Sequence, residues 1–250
     1  MSAKMPIPRD PWSRLRALTP ARIALGRAGG SAPTRELLNF QLAHALARDA
    51  VHHPFDPIRL ERDLSHLKHA IVHVTTQAPD RQTYLLRPDL GRHLSPDGRS
   101  KLADPPAEHD LSIILSDGLS ALAAHRQIPA VLTAWFPKLC ALKVAPLTIV
   151  PLARVAVEDE VGQLQRSRIA VILLGERPGL GSPDSLGAYL VLNPQPGRTD
   201  ADRNCVSNIR PEGLAPTAAV ESLHYLVTQS LQRGVSGVAL KDERGGPALV

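Results

Sequence analysis

The chain has 250 residues, enough for one large domain or for a compact domain plus a smaller module. At 43% apolar and 21% charged it is not globally disordered, and 3% aromatic content argues against single-strand nucleic-acid recognition by stacking. The net charge of +5 is uneven: residues 1–35 hold seven Lys/Arg and one acid, so the remainder is near neutral and lacks the broad basic face that phosphate binding needs.

Residues 1–30 read as a basic arm that Pro6, Pro8, Pro11 and Pro20 keep from forming a long helix. Its charge suits docking on an acidic surface, and equally a solvated tail. Residues 31–105 read as a mainly helical region. Thr34 is the expected cap of a helix to about Val51, with Leu38, Leu42, Ala45, Leu46 and Ala50 on one face. A second helix is expected over Pro57 to Leu67, capped by Asp56. Ile71–Val74 reads as a strand, with Tyr84–Leu86 its partner across a turn at residues 80–83. Residues 96–109, rich in Pro, Asp and Gly, read as a linker, and the domain boundary is placed there.

From 106 to 250 strands and helices alternate, which predicts an α/β domain with a Rossmann-like, open, mostly parallel sheet. Strands are expected at Leu111–Leu115, within Leu147–Val157, at Ile169–Leu174, at Tyr189–Leu192 and at Val238–Leu240. Helices are expected from Ser116–Ser120 to about Ala124, at Ala130–Leu139, at Glu160–Arg166 and at Ala215–Gln232.

Two loops stand out. The apolar run Ile169–Leu174 leads into Gly175–Gly181, and Arg203–Pro211 follows about two dozen residues later. A strand running into a Gly/Pro-rich polar loop is how an open sheet builds a ligand crevice at its carboxyl edge. Glu176 would emerge there, able to accept hydrogen bonds from a ligand or to hold its own loop. Asp117, between a strand and a helix, is either a helix cap or a ligand contact. Cys205 has no partner at metal-ligand spacing, and a lone cysteine is more often a small buried hydrophobe than a nucleophile. His66, His69 and His73 would share a face of one helix, but His73 sits in a β-branched run, so no metal site is assigned. No nucleophile–base pair is evident, and no catalytic residue is assigned. No apolar run reaches the roughly 18–20 residues that span a bilayer, and two cysteines without a paired spacing fit a reducing, cytoplasmic setting.

Eight stretches carry a resemblance to a known family: Pro11–Arg16, Thr19–Gly29, Leu42–His52, Arg87–Arg92, Ser116–Ala121, Arg154–Asp159, Gly175–Leu180 and Cys205–Arg210. Together the chain resembles the small subunit of ethanolamine ammonia-lyase. The resemblance implies an adenosylcobalamin-dependent carbon–nitrogen lyase in which this chain is active only with a large TIM-barrel subunit. It implies a dodecamer of six large–small pairs. It also implies cobalamin held between the subunits, radical deamination of ethanolamine to acetaldehyde and ammonia, and residence that extends to a bacterial microcompartment. By position, Val155, Glu176 and Cys205 would be corrinoid contacts: an apolar wall, an acceptor for peripheral amides and a small polarizable filler. The chain has no Asp-x-His-x-x-Gly segment, in line with cobalamin keeping its own lower ligand in this family. Two other readings come from the residues alone: a self-sufficient α/β hydrolase or transferase, and an interaction module docked by its basic arm.

Overall fold

The structure, a computed structural model, describes residues 10–19, 21–103 and 107–244. Residues 1–9 and 20 of the expected arm and 104–106 of the expected linker lie outside these. Six strands form one sheet in the order β1-β3-β2-β4-β5-β6. They are β1 (Ile71–His73), β2 (His109–Ser116), β3 (Leu147–Ile149), β4 (Ser167–Gly175), β5 (Leu186–Leu192) and β6 (Arg203–Ile209). The first four in sheet order are parallel. β5 and β6 run antiparallel to their neighbours, so the expected α/β sheet is present but mixed rather than purely parallel. The short 176–185 loop leaves no room for a crossover, and β5 must fold straight back along β4.

β2 and β4 are near-continuous apolar runs because both faces of the sheet are covered. One face carries Leu111, Ile113, Leu115, Val171 and Leu173 against α5 (Ala121–Trp135) and α7 (Pro216–Arg233). The other carries Ile114, Ile172 and Leu174 against α6 (Val157–Leu164). α5 was expected as two separate helical stretches, and Pro129 lies inside it. It is continuous: Ala121, Ala124, Ile128, Val131, Leu132 and Trp135 make one buried stripe. Burial of that stripe outweighs an interior proline's cost of about 3 kcal/mol.

Four other expectations change. Tyr84 lies not in a strand but in α3 (Arg81–Leu86), because Asp80 caps it by accepting from the Thr83 N–H at 2.8 Å. Pro96–Leu102 of the expected linker is a helix, α4, capped by Ser95. The polar run from Arg203 is the edge strand β6. Val238–Leu240 is no strand: Gly237–Ala239 is a helical turn held beside β6 by the Asn204 side chain, which donates to Gly237 O and Leu240 O and accepts from the Gly237 N–H. α2 (Pro57–Leu64) is capped by Asp56 as expected.

α1 spans Thr34–His52, with Pro33 rather than Thr34 at the cap position. Of the expected apolar face only Ala50 is buried. Glu36 and Ala50 are buried and share a face with Ala43 and Ala47, whereas Leu38, Leu42 and Leu46 are exposed. Alanines let the helix lie close to the body, and its leucines point away.

Candidate functional site

A cleft of about 420 Å³ opens at the carboxyl ends of β2 and β4. From β2 the chain goes to β3 on one side and then to β4 on the other, so this is the point at which strand order reverses, where open α/β sheets take ligands. Three loops and one helix line it: Leu119 after β2, Arg154 and Val155 after β3, Glu176 and Arg177 after β4, and Tyr84 from α3. Tyr189 of β5 closes the side.

The β2 and β4 turns touch backbone to backbone. The Leu119 N–H donates to Gly175 O at 2.8 Å, and Gly118 takes φ +49°, a left-handed value that favours glycine. Asp117 is not the helix cap; Ser120 is, accepting from the Ala123 N–H. Buried Asp117 instead accepts from the Leu152 N–H at 2.6 Å and from Arg81 Nη1 at 3.1 Å, tying the β2 and β3 loops together. Burial raises its pKa, with Leu152 and Arg81 pulling the other way.

Arg81 also donates to Val51 O and Gly118 O. The Arg154 guanidinium lies 4.3 Å from the centre of the Tyr84 ring, whose hydroxyl donates to Ala153 O. Arg81 Nη2 and Arg154 Nε are buried with no hydrogen-bond acceptor among the described residues.

Glu176 accepts at Oε2 from Ser185 Oγ at 2.5 Å and from the Asn208 N–H at 3.2 Å, so it pins the loop to β6. A Cβ on Gly187 would meet Glu176 Oε1 at 3.0 Å and the Tyr189 ring at 3.2 Å, so glycine there leaves room for both side chains. Val155 and Glu176 therefore share one cleft. Cys205 does not line it. It sits opposite Tyr189 in the β5–β6 register, next to a second, shallower hollow of about 240 Å³. Cys205 is exposed on the edge strand, yet the protein around its thiol pushes its pKa up to about 11, with the Glu176 and Glu158 carboxylates adding to this. The thiol stays protonated at neutral pH.

Two residues before Cys205, buried Arg203 reaches α6: its Nη2 meets Asp159 Oδ2 at 2.5 Å and its Nε lies 2.8 Å from Glu158 Oε1. Burial drives the Glu158 pKa well up and that of Asp159 to about 6, with Arg203 opposing both. Folded Asp159 thus keeps its proton to a higher pH than the unfolded chain, whose value is near 3.8. Between those values the folded state binds more protons, so this group's contribution to stability falls as pH rises through that window and is level above it. Asp159→Asn removes the titration. The variant should gain on the wild type by on the order of 2 kcal/mol from pH 4 to pH 6 in denaturant melts. Parallel pH profiles would refute this.

The three histidines do not converge: His66 meets Thr133, His69 meets Ala145 O and His73 meets Glu61. Tyr84, Arg81 and Arg154 are site residues the local sequence did not announce. Arg81 and Tyr84 share α3 and Arg154 comes from the loop after β3, and nothing in the local sequence signals that these two segments meet.

Fold and cleft define the class: an α/β protein with an open crevice at the carboxyl edge of its parallel strands. Residues 9–241 match the family described as "Ethanolamine ammonia-lyase light chain (EutC)". Similar proteins include the ethanolamine ammonia-lyase small subunits of Xanthomonas campestris pv. campestris (51% identical, covering 100% of this chain and 94% of that one) and Azotobacter vinelandii (51%, 97% and 92%). The small subunit of Bradyrhizobium diazoefficiens is 49% identical, over 95% of this chain and 92% of its own length. The chain belongs to the ethanolamine ammonia-lyase light-chain family. No helix among the described residues is long and apolar enough to cross a membrane.

Proposed function

We propose that this chain is the small subunit of an ethanolamine ammonia-lyase and holds adenosylcobalamin in the cleft between β2 and β4, against a large subunit. The observation that carries the reading is the meeting of Val155 and Glu176, distant in sequence, on one crevice at the strand-order reversal. Cobalamin presents a flat macrocycle, a rim of primary amides and one phosphodiester. The cleft suits it: Val155 and Leu174 offer apolar surface, and Glu176 Oε1 receives no protein hydrogen bond among the described residues. Arg154 and Arg177 can donate to amide or phosphate oxygens. When bound, the cofactor supplies the radical chemistry of deamination. This chain's residues bind and orient it. Glu176 receives amide N–H groups, Arg154 stays fixed on Tyr84, and Cys205 packs beside Tyr189 on the neighbouring strand.

Other parts of the reading are a TIM-barrel large subunit, six large–small pairs in one particle, a reducing cytoplasmic or microcompartment setting, and a division into residues 1–30, 31–105 and 106–250. Particle mass by light scattering tests the stoichiometry.

The site itself is tested by titrating the reconstituted pair with cobalamin and following the visible difference spectrum. Glu176→Ala removes one acceptor and loosens the loop, and should weaken binding about tenfold, the worth of a charge-assisted hydrogen bond. Glu176→Gln keeps an acceptor and should lose less. Wild-type affinity in Glu176→Ala would sink the assignment, as would deaminase activity of the isolated chain.

A further inference from the structure

Eleven large hydrophobic side chains are exposed among the described residues, and five of them lie on α1. Leu38, Leu42 and Leu46 are 57%, 60% and 50% exposed and fall at i, i+4 and i+8, so they form one stripe. Single exposed leucines are ordinary; a continuous stripe on a helix already packed through its other face marks an interaction surface.

The end of α1 is tied to a cleft turn, and its start is linked through the arm to the loop after β4. Near its start, Glu36 holds Arg16 of the arm at 3.2 Å, and Arg22 of the same arm donates to Leu180 O at 3.2 Å in the loop after β4. Near its end, Val51 O accepts from Arg81 Nε at 2.9 Å, and Arg81 binds Asp117 and Gly118 in the turn after β2. The helix is therefore tied at its end to the turn after β2 that lines the cleft, and through the arm to the loop after β4. A partner seated over the cleft meets α1 as part of the same surface.

We propose that the leucine stripe of α1 is a docking face for the large subunit, continuous with the cleft that subunit closes, and that the partner presents an apolar groove to it. This rests on the reading given under Proposed function. A second copy of this chain is the competing occupant, but self-pairing through α1 would place another small subunit beside the cleft mouth.

The test co-expresses the full chain with the large-subunit chain of the same organism. Leu38→Asp/Leu42→Asp should weaken association at least tenfold in quantitative pull-down, while the isolated variant keeps the wild-type thermal midpoint because both side chains are exposed. If the variant fails to fold, hydroxyl-radical footprinting of the wild type decides: Leu38, Leu42 and Leu46 should be several-fold less oxidised in the pair than in the isolated chain. Wild-type association of a folded variant, or unchanged oxidation on pairing, overturns the proposal. So does protection that arises in the isolated chain as its concentration is raised, which would identify a second copy. A pair that protects α1 yet takes up no corrinoid would uphold the docking face and refute the cofactor assignment. Failure of the wild-type chains to pair would overturn both.

Discussion

Gly175→Ala is expected to cost about 3 kcal/mol or more of folding stability, read as a large fall in denaturant midpoint. A Cβ at Gly175 would stand 2.1 Å from Ser120 O, 2.6 Å from Asp117 O and 2.7 Å from Ser120 C. All three are backbone atoms, so no rotamer change relieves the overlap. The reverse contact is equally close, since a Cβ on Gly118 would meet Gly175 O at 2.4 Å. Relief requires the turns after β2 and β4 to separate, which breaks the Leu119 N–H to Gly175 O bond and widens the cleft floor. Gly181→Ala, six residues on, is the internal control. Nothing lies within 4 Å of a Cβ there, so its midpoint should move by no more than about 0.5 kcal/mol. Equal midpoints for the two variants would show that the turns are not in the contact described.

Arg203→Met is expected to lower stability by about 3–5 kcal/mol, the usual result of removing one partner from a buried ion cluster. The substitution keeps much of the side-chain length but leaves Glu158 and Asp159 without their cation in a region nearly closed to water. The discriminating measurement is a double-mutant cycle. Adding Asp159→Asn to Arg203→Met removes the stranded charge and should restore part of the loss, whereas two independent effects would simply add. A loss below about 1 kcal/mol for Arg203→Met would refute the role. The consequence reaches the site: Arg203 ties β6, which carries Cys205, to α6, whose approach carries Val155. Loosening that tie should displace one relative to the other.

Much of this was legible in the chain. The apolar runs of β2 and β4 could only be strands buried on both sides. The loop after Leu174 declared a crevice, and Asp56 marked the start of α2. The errors have physical causes. β6 hid because an edge strand has no need of apolar alternation, and its Arg203 is buried by a partner 44 residues away in sequence rather than by its own pattern. Tyr84 sits in a run with strand-like residues, but the Asp80 cap decides for helix. α1 showed the right period, yet of the expected face only Ala50 is buried, because periodicity reports which residues lie together and not which stripe meets the body. Glu176 could be placed at the crevice from its position, while its bonds to Ser185 and Asn208 depend on a hairpin and a strand not yet identified.

The rims of the sheet carry one further implication. On one side the outermost strand is only three residues long. On the other, Asn204 clamps the Gly237 turn alongside and Asn208 takes φ +57°, which breaks the extended run. Neither border offers a flat ladder of free amides for a foreign strand to zip onto. Oligomers of this chain should therefore grow through side-chain contact between solid surfaces, and the protein should resist the edge-to-edge clumping that threatens sheets left open.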